Sequence, residues 1–280
     1  YDDNYEQKGE DYPLPFVRWT EKRNFEAVLQ AITLNKINVE ELITERIDLH
    51  NYQKIYSDMN GNNAIASILV YPEKLIAPNR LVQIQSNQFY PSKGTIGIIG
   101  SGNFTSAMIL PCLKKTSGKL KIISSASGLS GTTLAKKYKI PFSTTDNITI
   151  MEDLDIDLVM ITTRHNSHAK LVIDALKADK NVFVEKPLAL NAEELDLVIE
   201  AYKNSGKTVT VGFNRRFAPL SIKMKTTLGN ANSSMNIIAT MNAGFIPSKV
   251  WVQDMQIGGG RIIGEACHFI DLISYLTGSK

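Results

Sequence analysis

Apolar positions along this 280-residue chain change their rhythm near residue 95. Residues 1–15 are polar, acidic and broken by prolines, which reads as loop. Phe25, Val28, Leu29 and Ile32 share one helical face and predict a helix over Asn24–Lys36. Val39–Leu49 alternates like strand and turn, Tyr52–Met59 gives a turn or two of helix, and Ala64–Tyr71 reads as a strand. Residues 72–92 carry Pro72, Pro78 and Pro91 with no sustained period, and read as a linker.

From Thr95 onward short apolar runs alternate with helical periods, the order that builds a parallel, doubly wound α/β sheet. The strands are expected at Thr95–Ile99, Leu120–Ser125, Asp157–Thr162, Asn181–Val184 and Thr208–Phe213. The helices are expected at Asn103–Lys114, Ser130–Tyr138, Ser167–Ala178 and Ala192–Asn204. Runs such as Leu158-Val159-Met160-Ile161 have the continuity of strands covered on both faces. After Asn214 come a helix near Phe217–Leu228, a strand near Met235–Ala243 and a last helix, Arg261–Leu276, the start of an α+β unit. The expected division is therefore 1–71, linker 72–92, 93–214 and 215–280.

Composition narrows the function classes. The 31 basic and 28 acidic residues are spread along the chain, leaving no nucleic-acid footprint and no polybasic membrane patch. Cys112 and Cys267 each stand alone, which argues against a disulfide framework and a cysteine zinc site, and makes a cytoplasmic setting the expectation. Gly94–Leu113 is free of charge, but Ser101, Asn103, Thr105, Ser106 and Pro111 interrupt it, so no membrane span is expected. Tyr1 is no initiator and no signal-peptide pattern follows it, so the chain is expected to begin inside a longer protein.

Gly100-Ser101-Gly102 directly follows the strand Thr95–Ile99 and precedes a helix, the context of a dinucleotide fingerprint. Gly100 permits the tight turn, and Gly102 lets the backbone approach a pyrophosphate, which would lie over Gly100, Gly102, Asn103 and Phe104. Thr105 stands where the third glycine is usual. An acid about twenty positions on should accept from an adenine-ribose hydroxyl, yet Ser124-Ser125-Ala126-Ser127-Gly128 offers neither acid nor arginine. Ser125 and Ser127 are the candidates there, and the choice between NAD and NADP stays open.

Glu185-Lys186-Pro187 ends a strand and, with Thr163 and His168 after the preceding one, resembles the signature of the glucose-fructose oxidoreductase, inositol dehydrogenase and rhizopine-catabolism (Gfo/Idh/MocA) family. Gly212-Phe213-Asn214-Arg215-Arg216-Phe217 and the run Gly258 to Asp271 resemble further motifs of that family, in the same order. The resemblance implies a Rossmann domain followed by a substrate domain, and hydride transfer between NAD or NADP and a carbinol of a sugar, cyclitol or sugar nucleotide. Lys186 would bind or polarise the reacting oxygen and His268 would exchange its proton. Thr162, Thr163, His168, Glu185, Lys186 and Arg215 would line the cofactor.

Two positions depart from the family pattern. Gly264 stands four residues before the histidine, where relatives often carry Asp, and Glu265 is expected to orient His268 instead. Thr163-Arg164-His165 replaces the Thr-Pro-Asn of relatives; His165 and His168 lack a third ligand, so no metal is expected. Phe16 through Met59, closed by the strand Ile65–Tyr71, resembles the tail of a zinc-type medium-chain alcohol dehydrogenase whose zinc ligands would precede Tyr1. Family members continue past the histidine helix into a sheet that forms the substrate wall and a homo-oligomer interface, so the substrate is not readable here. Alternatives are a nucleotide-binding regulatory module without turnover and an NAD-dependent glycosidase.

Overall fold

The computed structural model describes residues 2–57, 64–71, 79–229 and 235–278, in two units, Tyr1–Pro78 and Asn79–Lys280. In the first, α1 is Asp3–Glu6 and α2 is Glu21–Thr33. Helix α2 starts ahead of the expected residue because Thr20 caps it, its hydroxyl accepting from the Arg23 amide at 3.4 Å. It stops before Asn35, whose φ is 53°. Strand β1, Ile43–Asp48, pairs in parallel with β2, Ala66–Val70, and α3 is Gln53–Ser57; the expected end of that helix, Met59, lies outside the described residues. Among the described residues of this unit only Thr20 is buried.

The second unit holds a seven-stranded sheet. Its strands are β3 Leu81–Gln83, β4 Thr95–Ile99, β5 Lys119–Ser124, β6 Phe142–Thr144, β7 Leu158–Ile161, β8 Asn181–Val184 and β9 Val209–Val211, in the order β3-β6-β5-β4-β7-β8-β9. All pairs are parallel except β3 with β6. The helices are α4 Leu110–Leu113, α5 Leu129–Tyr138, α6 Ile148–Met151, α7 His168–Lys177, α8 Ala192–Ser205, α9 Pro219–Leu228 and α10 Cys267–Thr277.

Period-two alternation divides the core between the two sheet faces. Ile99, Ile122, Val159, Ile161, Val182 and Val184 pack against Val172, Ala175 and Leu176 of α7 and Val198 of α8. Ile96, Ile98, Ile123 and Met160 pack against Leu110 of α4 and Leu134 and Ala135 of α5. Each fully buried isoleucine or valine contributes about 1.5–3 kcal/mol over its exposed state. Successive strands run to one side of β4 through β5 and β6 and to the other through β7, β8 and β9. The crevice of such a sheet opens between the C-terminal ends of β4 and β7.

Three sequence expectations are corrected. The stretch read as a linker contains β3, which adds an antiparallel edge to β6. Residues 235–243 form no strand and are laddered to none of the described strands. The helix after Gly102 is not uniformly α: Thr105–Ile109 is a π turn running into α4, since Pro111 has no N–H with which to continue the i to i−4 ladder.

Candidate active site

The turn after β4 leaves no alternative to glycine at its first position. Gly100 has φ 112°, and a Cβ there would lie 2.7 Å from the carbonyl carbon, carbonyl oxygen and hydroxyl of Thr162. Thr105, at the place of the usual third glycine, is buried with Oγ1 2.8 Å from Thr162 Oγ1 and 3.2 Å from the Gly100 carbonyl. Thr162 is thus committed to holding the loop on β7. Gly102 is the opposite case: a Cβ there would meet nothing within 4 Å, and Asn103 and Phe104 beside it are exposed. That open backbone at a helix start is a cradle which a side chain at 102 would fill, and it suits a pyrophosphate.

The serines after β5 divide into two roles. Ser124 Oγ donates to Asn147 Oδ1 at 2.6 Å, and buried Ser125 Oγ accepts from the Gly131 amide at 3.1 Å. Ser127 is exposed. Ser101 Oγ, in the glycine loop, lies 2.6 Å from Ser130 Oγ of α5.

The loop after β7 docks on the glycine-rich segment near residue 258. The Asn166 amide donates to the Ile257 carbonyl at 3.1 Å, and His165 Nδ1 lies 2.8 Å from the Gly258 carbonyl. The His165 ring meets Trp251 edge-on at 4.8 Å, and Arg164 lies over the same indole. A Cβ on Gly264 would stand 3.1 Å from His165 Cε1, so the imidazole occupies space that a side chain at 264 would need. Burial, with the nearby Lys186 and His168, holds the His165 pKa at about 4.

His168 corrects the cofactor-lining expectation. It is fully buried, with Nδ1 2.7 Å from the Pro187 carbonyl and Nε2 3.1 Å from the Thr163 carbonyl, so its ring clamps two loops together and presents no atom to a cofactor. Burial lowers its pKa as well. Thr163 Oγ1 lies 2.6 Å from Ser167 Oγ at the same bend.

Lys186 follows the end of β8, and its ammonium donates to the Gly264 carbonyl at 2.7 Å. The preceding Glu185 is half-buried against Gly212, where a Cβ would come 2.7 Å from its Oε1; desolvation raises its pKa despite the Lys186 charge. Downstream, Ile262–Ala266 forms a π turn before α10. Within it Glu265 pairs with Arg261 at 2.7 Å. The expected Glu265–His268 partnership is therefore absent, and His268 Nδ1 is buried without a hydrogen-bond partner. Desolvation first, then the charges of Lys186 and Arg215, depress the His268 pKa to about 4 against the opposing pull of Asp271 and Glu265. Arg215 lies over the Phe269 ring at 4.7 Å, and Phe213 meets His268 edge-on at 6.2 Å.

Sequence reasoning missed the two-point ion pair of Arg216 with Asp271, Nε to Oδ2 at 2.9 Å and Nη2 to Oδ1, which ties the stretch after β9 to α10. It also missed the His165–Trp251–Gly264 dock. An isolated Trp beside a triple glycine was the available signal. Among the described residues no group of three or more His, Cys, Asp or Glu could hold a metal ion, and no helix is long and apolar enough to cross a membrane.

With this geometry, residues 95–213 match the model of the GFO_IDH_MocA oxidoreductase family, NAD-binding Rossmann fold. This segment has the Rossmann fold and is similar to the NAD-binding domain of that family. The chain is 28% identical over 184 residues to the uncharacterized oxidoreductase YrbE of Bacillus subtilis (strain 168), covering 66% of this chain and 54% of that protein. It is 30% identical over 145 residues to myo-inositol 2-dehydrogenase of Thermotoga maritima, covering 52% and 41%. The structure of a levoglucosan dehydrogenase in complex with NADH and levoglucosan superimposes with a TM-score of 0.56 at 27% identity, over 66% of this chain and 54% of that one. The chain thus spans about half the length of the curated relatives it matches, and the Gfo/Idh/MocA match begins at residue 95.

Proposed function

We propose that the protein is an NAD(P)-dependent oxidoreductase that moves a hydride between the nicotinamide and a carbinol carbon of a sugar or cyclitol. The carrying observation is the convergence of Lys186, at the end of β8, with the segment leading into His268, fixed by the Nζ to Gly264 carbonyl bond of 2.7 Å. A bound nicotinamide would accept or give the hydride. Gly100, Gly102, Asn103 and Phe104 hold the pyrophosphate, and Lys186 offers its remaining N–H donors to the substrate oxygen. His268, neutral above about pH 4, carries a lone pair that can take the hydroxyl proton. Likeness to the inositol and levoglucosan dehydrogenases supports the polyol class of substrate. Sequence likeness alone supports assigning residues 1–71 to the tail of a medium-chain dehydrogenase-like domain.

One observation favours a second reading, a nucleotide-binding module without turnover. A base at Nε2 needs its proton on Nδ1, and Nδ1 has no acceptor. The deciding experiment incubates the full-length protein with NAD or NADP and myo-inositol, levoglucosan or glucose, following reduced nicotinamide by absorbance. We expect reduction in one arm, lowered about 10²–10⁴-fold in His268→Ala, and cofactor binding abolished in Gly102→Val, whose Cβ meets nothing of the protein within 4 Å. Cofactor binding without reduction in any arm favours the module. Undiminished binding by folded Gly102→Val overturns the cradle.

A further inference from the structure

The edge strand β3 brings an arginine to the end of the sheet where the adenosine half of a dinucleotide lies. Ser124 of β5 is in register with Thr144 of β6, and Thr144 with Leu81 of antiparallel β3. The start of β3 therefore shares an edge with the C-terminal ends of β5 and β6. Hydrogen bonds join this edge: the Ser125 amide donates to the Thr144 carbonyl at 3.1 Å, and the Thr145 amide to the Arg80 carbonyl at 3.0 Å. A Cβ on Gly128 would stand 3.1 Å from Thr145 Cγ2, so the loop after β5 lies directly on this edge. Two strand spacings put the Arg80 backbone about 10 Å from Ser125, a gap that an extended arginine can bridge.

The loop after β5 leaves this corner without a carboxylate of its own, and its charged pair is Arg80 with Asp146. A carboxylate at the end of β5 would accept from the ribose 2′-hydroxyl and repel a phosphate there. Residues 124–128 carry no charge; Ser124 and Ser125 use their hydroxyls inside the protein, and Ser127 is exposed. The Arg80 side chain is 66% exposed, 3.3 Å from one oxygen of Asp146. The other Asp146 oxygen accepts from the Ile148 amide at 3.0 Å and keeps that carboxylate in place. An ion pair so exposed contributes little. A phosphate that accepts two parallel N–H bonds from the guanidinium outcompetes it.

Building on the cofactor reading above, we propose that Arg80 and Ser127 form a subsite for the 2′-phosphate of NADP(H), and that the site takes NADP(H) at least as tightly as NAD(H). The test is fluorescence titration of the protein with NADPH and NADH, with 2′-AMP and 5′-AMP as competitors. Arg80→Gln is expected to weaken NADPH about tenfold or more while leaving NADH unchanged. Asp146→Asn is expected to tighten NADPH, and 2′-AMP to compete better than 5′-AMP. Added salt should weaken NADPH more than NADH. NADH binding without NADPH binding overturns the proposal, as does an Arg80→Gln variant that alters both cofactors alike or neither. Failure of both cofactors to bind the folded protein overturns the cofactor reading itself.

Discussion

Replacing Lys186 by methionine should raise the pKa of His268, by an amount that separates charge from burial. The ring stands at about 4, against 6.5 for an unperturbed imidazole, with desolvation as the larger cause and Lys186 as the next. The gap disfavours the imidazolium by about 3 kcal/mol. Lys186 Nζ is 2.7 Å from the Gly264 carbonyl, four residues before His268, a placement consistent with a charge separation on the order of 7 Å. At an effective dielectric near 20 that is about 2 kcal/mol, and solvent at the half-buried ring reduces it to about 1 kcal/mol. The His268 midpoint in Lys186→Met should then move to about 5, with burial keeping it below 6.5. Nitrogen-15 NMR titration of the four histidines, with His268→Asn for assignment, measures this and also reports the tautomer. Lys186→Arg keeps the charge and should leave the midpoint near its parental value. A midpoint unmoved by Lys186→Met would refute the electrostatic link between strand end and helix on which the proposed proton transfer depends.

Gly100→Ala should destabilise the domain by about 3 kcal/mol or more, from a positive φ combined with a backbone collision at Thr162. Calorimetry should show Tm falling by about 6–12 °C, and an unchanged Tm would show that the turn can relax. Acid should weaken the fold: His165 and His268 titrate at about 4 when folded and near 6.5 when unfolded. As pH falls from 6.5 toward 4 the unfolded chain binds protons that the folded one refuses, and stability drops by about 3 kcal/mol or more. Glu185, raised by burial, opposes this only where its own carboxyl protonates. Denaturant titrations at the two ends of that window, with His165→Gln flattening the difference, provide the check.

What the sequence disclosed depended on whether burial was apolar. Strands β4, β5, β7 and β8 announce themselves through runs such as Ile98-Ile99 and Ile122-Ile123, whose side chains divide between the two faces. Strand β6 is silent because two of its three residues, Ser143 and Thr144, are buried hydroxyls, satisfied by Thr132 and by the Asp146 carbonyl. With β6 unseen, β3 had no visible partner, and Leu81-Val82-Gln83 read as part of a linker. The places of the glycine loop after β4 and of Lys186 after β8 were legible because turn chemistry and a strand end fix them, whereas the roles given to Lys186 and His268 are proposals. The fate of Glu265 was not legible, because α-helical spacing was assumed where the backbone forms a π turn.

Both π turns of the second unit lie at the candidate site, and a common physical cause links them to it. In each, an extra residue per turn displaces the side chains that follow and breaks the regular i to i−4 ladder. At Thr105–Ile109 the break lies between the glycine loop and Pro111, and Thr105 is the residue that ties that loop to β7. At Ile262–Ala266 the break lies between the triple glycine and His268, and the carbonyl of Gly264 inside it receives the Lys186 ammonium. A side chain at 264 would press on the His165 ring, 3.1 Å from the position of its Cβ. The chain holds Lys186 by a backbone carbonyl, and His268 Nδ1 stands buried and unpaired four residues on. Lysine placement is thus tied to one local choice, glycine at 264 beside histidine at 165, and a carboxylate partner for the imidazole at 264 requires the His165 ring to give way by a few tenths of an ångström.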